Sequence, residues 1–316
     1  TNFRNLERKS TLKEWFFPPK DKNPLSPLPT IKFNGEDLTE GNFVWLGHST
    51  VLMKAEGLVV MTDPVFNRAS PLPSFSSKSK SSFFNGKPFV FENPILIEDL
   101  PKVDIVIISH DHYDHLDSKA IKDLSNLVDH FIVPLGVGAH LERWGVDKNK
   151  ITELDWYESK SYKDIEFIFA PSLHFSGRGI TNGNSTLWGS WIVKSKSLSA
   201  YFSGDGGYSE TFKKLGNEYG PFDIAFIENG AYNIDWSNVH MFPDESVQAS
   251  IDLKAKVLLP IHWSKFDLSI HPWDEPIIRV TQEAKKKNVK IATPMIGEVF
   301  DLNNLPRNPW WEKLRN

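Results

Sequence analysis

"VIISHDHYDHLDS" (residues 106–118) carries an apolar run straight into His110, His112, Asp114 and His115. The run extends back to residue 103 as "VDIVIIS", whose length and β-branched content read as a strand covered on both faces. The ionisable groups then fall in the turn at its carboxyl end, where α/β folds hold their ligands because loops there are free of packing duty. Packing alone is a poor reason for such a turn, since each buried polar group without a partner costs on the order of 1 to 3 kcal/mol. A divalent metal satisfies the groups together. Histidine nitrogen with carboxylate oxygen is the set zinc takes when cysteine is absent, and iron or manganese accepts it too. In an extended turn His110 and His112 can face one side, with Asp114 and His115 beyond the bend, which suggests two metals.

Three later stretches repeat the pattern. "APSLHFS" puts His174 just past a strand, "AYFSGDGG" does so for Asp205, and "LLPIHWS" for His262. Taken singly, these are a capping residue, a turn residue and a core histidine. Taken together they occupy one topological position, and with the first turn they make a full ligand set for two metals.

The 316 residues allow one large domain, here 43–316, behind a proline-containing extension, 1–42, whose "FFPPKDKNPLSPLPT" reads as an arm laid over a surface and outside the core. Net charge is -4 with no strongly basic block, so nucleic-acid binding is not expected. No cysteine is present, which excludes disulfides, thiolate nucleophiles and cysteine-ligated zinc. No apolar run reaches membrane-spanning length, and the chain starts at Thr1, so a leader or anchor could have been removed. A cytoplasmic or peripheral membrane location is expected.

Strands are predicted near 43–46, 50–54 and 58–62, then at 103–109 and in "HFIVP", "ITELDW", "IEFIFAP", "LWGSWIVK", "LSAYFSGD", "DIAFIE" and "KVLLPIH". Helices are predicted near 118–127, with Ser118 as N-cap, and near 136–144, 209–216, 243–253 and 276–287. Helices interleaved with short strands imply sheets covered by helices. The segment 66–94 carries Phe75, Phe83, Phe84, Phe89 and Phe91 among Lys and Ser without a regular period, as a functional loop does.

"SHDHYDHLD" has the His-x-His-x-Asp-His form of the metallo-β-lactamase superfamily, and His174, Asp205 and His262 follow in that family's order. More narrowly, "GHST", "TDPVF", "RASP", "VPLG", "ELDWYE", "LWGSW", "GDGGY", "YGPFD" and "IHW" resemble its N-acylphosphatidylethanolamine-hydrolysing phospholipase D branch, over roughly 43–300. The resemblance implies a four-layer α/β/β/α sandwich. It also implies a first metal on His110, His112 and His174, a second on Asp114, His115 and His262, and Asp205 bridging both. His48 and Asp63 match positions that support the ligands by hydrogen bonding. Tyr113 and His240 match positions associated with the phospholipid, Tyr113 as a donor to phosphate and His240 as a donor to phosphate or to the leaving group.

The implied activity is phosphodiester hydrolysis of N-acylphosphatidylethanolamine or a related glycerophospholipid by a metal-bound hydroxide, with Asp205 fixing the metal spacing and Asp114 orienting the nucleophile. Phenylalanines beside lysines in 66–94 suit peripheral contact with an anionic lipid surface, although that segment departs from the family in length and sequence. Two other readings compete: a sugar-phosphate lactonase of the same superfamily, and a non-catalytic binding module stabilised by metal. A redox di-iron role ranks below hydrolysis. His130 and His140 read as structural, His271 as a residue of the pocket entrance, and Trp188 and Trp191 as core residues.

Overall fold

The computed structural model describes residues 20–70, 86–179 and 181–315. Its strands, in chain order, are β1 (Asn42–Trp45), β2 (Val51–Ala55), β3 (Leu58–Thr62), β4 (Val103–Ile107), β5 (Val128–Pro134), β6 (Ile151–Leu154), β7 (Ser159–Tyr162), β8 (Ile165–Ala170), β9 (Ser190–Lys194), β10 (Ser199–Phe202), β11 (Ile224–Glu228), β12 (Leu258–Ile261) and β13 (Val299–Asp301). The helices are α1 (Ser118–Leu124), α2 (Gly138–Arg143), α3 (Thr211–Glu218), α4 (Pro243–Asp252) and α5 (Glu275–Lys286).

The strands form two sheets, ordered β13-β1-β2-β3-β4-β5-β6 and β12-β11-β10-β9-β8-β7. Side chains alternate across β4: Ile105 and Ile107 join Phe43, Trp45, Phe167 and Trp191 in the core between the sheets, while Val106 and Ile108 join Ile121, Leu124 and Leu141 beneath α1 and α2. That two-sided burial is why the strand reads as an unbroken apolar run. Helices α3, α4 and α5 cover the second sheet through Leu215, Val247 and Ile277, which completes the helix, sheet, sheet, helix sandwich.

Strand direction places the site. β3 and β4 pair in parallel, and β1 runs the same way as β3 because each is antiparallel to β2. In the second sheet β10, β11 and β12 are parallel, and β8 shares their direction because both β8 and β10 are antiparallel to β9. The carboxyl ends of β1, β3 and β4 in one sheet, and of β8, β10, β11 and β12 in the other, thus collect along one edge. The sheets are tied there by Trp191 Nε1 donating to Ile108 O at 2.8 Å and by the Gly189 amide donating to Ser109 O at 3.0 Å.

Some expectations need correction. The α1 N-cap is Asp117, not Ser118: its Oδ1 accepts from the amides of Lys119 and Ala120, because a carboxylate one residue earlier reaches the free helical donors. The described part of the extension is built into the fold, with Leu28, Phe33 and Leu38 buried in the two cores and Lys22 paired with Asp267 at 2.9 Å. Its prolines mark an extended path, and the apolar residues between them still bury. Within 66–94, Phe75, Phe83 and Phe84 lie outside the described residues, while Phe89 and Phe91 pack against the main core. Strands β7 and β13 had no expectation; β7 is polar "SKSY" and lies at the sheet edge, where no apolar period is required.

Candidate metal centre

Three strand-end positions adopt left-handed backbone that non-glycine residues rarely take: His48 (φ 54), Asp63 (φ 32) and His262 (φ 66). Strain of that kind persists only where surrounding contacts over-determine it, and it clusters at functional sites. Here the contacts are mutual, since the His262 amide donates to His48 O at 2.9 Å and the His48 amide to Trp263 O at 3.2 Å. Two glycines permit the close approach of loops. A Cβ on Gly204 would stand 2.5 Å from Ser109 Cβ, and one on Gly230 would stand 1.9 Å from His262 O.

The turn after β4 closes through His112 O, which accepts from the amides of His115 and Leu116. Its bend divides the side chains into two sets. In one, His110 Nε2 and His174 Nε2 lie 2.9 and 3.2 Å from His112 Nδ1. In the other, Asp114 Oδ2 lies 3.5 Å from His115 Nε2 and 3.3 Å from His262 Nε2. Asp205 Oδ2 stands between them, 3.0 and 3.1 Å from the nitrogens of His115 and His262 and 3.9 and 3.8 Å from those of His110 and His174. Ligand atoms about 2.1 Å from a shared tetrahedral ion are about 3.4 Å apart, so these separations fit two cations that share Asp205.

Hydrogen bonds behind the histidines fix which nitrogen faces inward. His174 Nδ1 donates to Val239 O at 3.0 Å and His115 Nδ1 to Asp63 Oδ2 at 2.6 Å, leaving both Nε2 lone pairs for a cation. Asp63 also accepts from the amide and hydroxyl of Ser109, whose Oγ lies 2.9 Å from His110 Nδ1. His48 Nε2 lies 3.1 Å from Asp114 Oδ2, close enough that His48 joins Asp114, His115 and His262 as a possible ligand.

Electrostatics point the same way. Burial lowers His110 and His174 well below the usual imidazole range and takes His48 down to about 3, so these rings are neutral donors. Burial also works against a charged His115 or His262, yet the Asp205 and Asp114 carboxylates prevail, holding His115 well above its ordinary value and His262 up at about 10. The two carboxylates thus make a field that demands positive charge in a dry place. His115 Nε2 and Asp205 Oδ1 are buried without a hydrogen bond, and a divalent ion would satisfy both. The donors fit the expected cations.

His240 sits over this centre, its ring 5.2 Å from that of His262 and 5.4 Å from that of His174. Its Nδ1 is 3.5 Å from Glu228 Oε2. Glu228, fully buried at the end of β11 and raised by that burial, was missed in the sequence. The signal was there: "IAFIE" ends an apolar strand on a charge, as "SAYFSGD" does at Asp205. The Tyr113 hydroxyl donates to Arg178 O at 2.6 Å, and the Arg178 guanidinium lies 4.0 Å over its ring while donating to the carbonyls of Asp111 and Leu116. Tyr113 therefore braces the loop. His140 braces it too, 3.4 Å from Asp111 Oδ2, while His130 meets Thr152 on the neighbouring strand. His271 stacks on Tyr232 and shares a small cavity wall with His262. Trp191 is buried in the core as expected, whereas Trp188 is half-buried and outside both cores, its Nε1 donating to Ser172 O beside the site loop. Leu173 and Phe175, 45 and 43 % exposed, flank His174 and leave apolar surface at the mouth.

A family model described as "Beta-lactamase superfamily domain" matches residues 59–263. An uncharacterised protein of Mycobacterium tuberculosis is 40% identical over 296 residues, covering 91% of this chain and 77% of that protein. The N-acyl-phosphatidylethanolamine-hydrolyzing phospholipase D 1 of Caenorhabditis elegans is 33% identical over 309 residues, covering 90% of this chain and 84% of its own. Among solved structures, a metallo hydrolase from Ignicoccus hospitalis superposes with a TM-score of 0.61 at 18% identity, over 82% of this chain and 97% of that one, a likeness of fold.

Proposed function

The chain belongs to the β-lactamase superfamily, as a metal-dependent hydrolase of that fold, and from this premise we propose that it is a phosphodiesterase of the phospholipase D type. Its substrate would be N-acylphosphatidylethanolamine or a related glycerophospholipid, cleaved to N-acylethanolamine and phosphatidic acid. The observation that carries the reading is the pair of three-donor sets joined by Asp205, a geometry suited to two ions flanking one phosphoryl group. The Caenorhabditis elegans relative, with the activity in its name and likeness over most of both chains, supports the substrate class.

His110, His112 and His174 would hold one ion, Asp114, His115 and His262 the other, with Asp205 between; zinc suits the donors, and iron or manganese is compatible with them. Divalent cations held there would supply Lewis-acid stabilisation of the phosphoryl oxygens and a water of lowered pKa. The chain's own residues do the rest. Asp63 and Ser109 orient His115 and His110, and His48 orients Asp114. Glu228 Oε2, 3.5 Å from Nδ1 of His240, would orient that ring so that its Nε2 is the atom turned to a leaving alkoxide as proton donor. The exposed Leu173 and Phe175 beside His174 suit acyl chains or the outer layer of a lipid surface, consistent with peripheral membrane contact. No helix among the described residues is long and apolar enough to cross a membrane.

The test is phosphatidic acid release from vesicles containing N-acylated phosphatidylethanolamine, run beside sugar-phosphate lactones. Release from the vesicles supports the proposal; turnover of lactones alone reassigns the substrate.

A further inference from the structure

The turn that carries His48 also borders a cavity of about 220 Å³ walled by Leu46, Phe66, Phe89, Ile95 and Ile296, with Lys265 as the single charged residue of the wall among those described. Val90 and Leu96 also line it while standing 68 and 49 % exposed, so the cavity opens to solvent through apolar side chains. Its volume suits one alkyl segment better than a drug-sized ligand.

Lys265 is the anomaly. It is 4 % exposed, and its ammonium donates to Leu46 O at 3.2 Å and lies 5.4 Å from the Phe66 ring centre. Both partners belong to the wall, so the charge sits at the cavity surface. Among the described residues no carboxylate lies within ion-pair distance of it. The Asp117 carboxylate, whose field it feels, already accepts from Lys119 and Ala120 on one oxygen and from Phe66 and Asn67 on the other. An ammonium has three donors, and a buried charge without a counter-ion is costly. Phosphate esters are less suited, being larger, more strongly charged and poorly matched to a single buried cation in an apolar wall.

We propose that this cavity binds a single-chain alkyl monocarboxylate of the fatty-acid class, the carboxylate against Lys265 and the chain running past Phe66 and Phe89 to the opening at Val90 and Leu96. Burial lowers Lys265 to about 8, so the free ammonium is still mainly protonated at neutral pH, and a bound carboxylate would hold it so. The proposal stands apart from the substrate reading, since it uses none of the metal-centre residues.

Calorimetric titration of the metal-loaded protein with decanoate, octanoate and 1-decanol tests it. Decanoate is expected to bind about 15-fold more tightly than octanoate, from about fourfold per methylene. Lys265→Met, an apolar replacement in apolar surroundings, is expected to weaken decanoate at least tenfold and leave decanol unchanged. Leu96→Glu, at an exposed position, is expected to weaken decanoate more than decanol without touching the lysine, and it keeps the test valid should Lys265→Met fail to fold. Absence of decanoate binding to the unaltered protein overturns the proposal. So does unchanged decanoate binding in either folded variant, which would place the carboxylate at the metals instead.

Discussion

The two sheets feed one centre in opposite ways. The first gives four donors from a single six-residue turn after β4, backed by His48 and Asp63 from β1 and β3. The second gives His174, Asp205 and His262 one at a time, each from the end of a different strand, with Glu228 and His240 behind them. A turn that holds four ligands is set by local backbone and can survive small shifts between sheets. Ligands scattered over three strand ends depend on how the sheets sit together. The pair of φ-strained turns at His48 and His262, hydrogen-bonded to each other, joins the two halves beside the ties of Trp191 to Ile108 and of Gly189 to Ser109.

The largest break in this arrangement should come at the shared carboxylate. Under the proposed function, Asp205→Ala is expected to lower phosphatidic acid release by about 10³-fold, the several kcal/mol that two correctly spaced cations would contribute. A decrease under tenfold would mean that Asp205 does not join the halves. Next comes His240→Ala, for which loss of a positioned proton donor predicts a fall of about 10²-fold in kcat with little change in KM. Rescue of that variant by a substrate with a more acidic leaving alcohol would sharpen the assignment; equal losses on both substrates would remove it. On the first-sheet side, Asp63→Asn loosens the orientation of His115 and is expected to weaken metal affinity by about 10- to 100-fold, read by competition with a chelator. The smallest effect belongs to Tyr113→Phe. Its hydroxyl serves Arg178 O, so stability should drop by about 1 kcal/mol in denaturant titration while kcat changes less than about threefold. A loss of tenfold or more in kcat would return Tyr113 to the substrate.

The same contrast explains what the sequence disclosed. His110, His112, Asp114 and His115 are legible because four chemically costly groups crowd one turn, and β4 is legible because it is buried on both faces. His174, Asp205 and His262 emerge only jointly, through their shared position after apolar strands. Glu228 ends a strand in the same way but belongs to no motif, and its partner His240 lies twelve residues on in a separate loop, so their meeting is a tertiary fact. The hydroxyl of Tyr113 is engaged by the carbonyl of Arg178, sixty-five residues away, a contact no local pattern announces. Lys265 reads as a surface lysine by type, and only its enclosure by Leu46 and Phe66 shows otherwise. The packing of the extension is hidden for a related reason: its prolines are visible locally, whereas the bridges of Leu28 to Phe91 and of Thr30 to Ile296 are made by distant chain.

Metal stoichiometry is the most direct measurement of the shared centre. Metal analysis of the purified protein and of His174→Ala should give two ions per chain and one, respectively, with the remaining ion held by Asp114, His115, His262 and Asp205. One ion per chain in the unaltered protein, or an unchanged count of two in the variant, would contradict a centre divided between two donor sets and joined by Asp205.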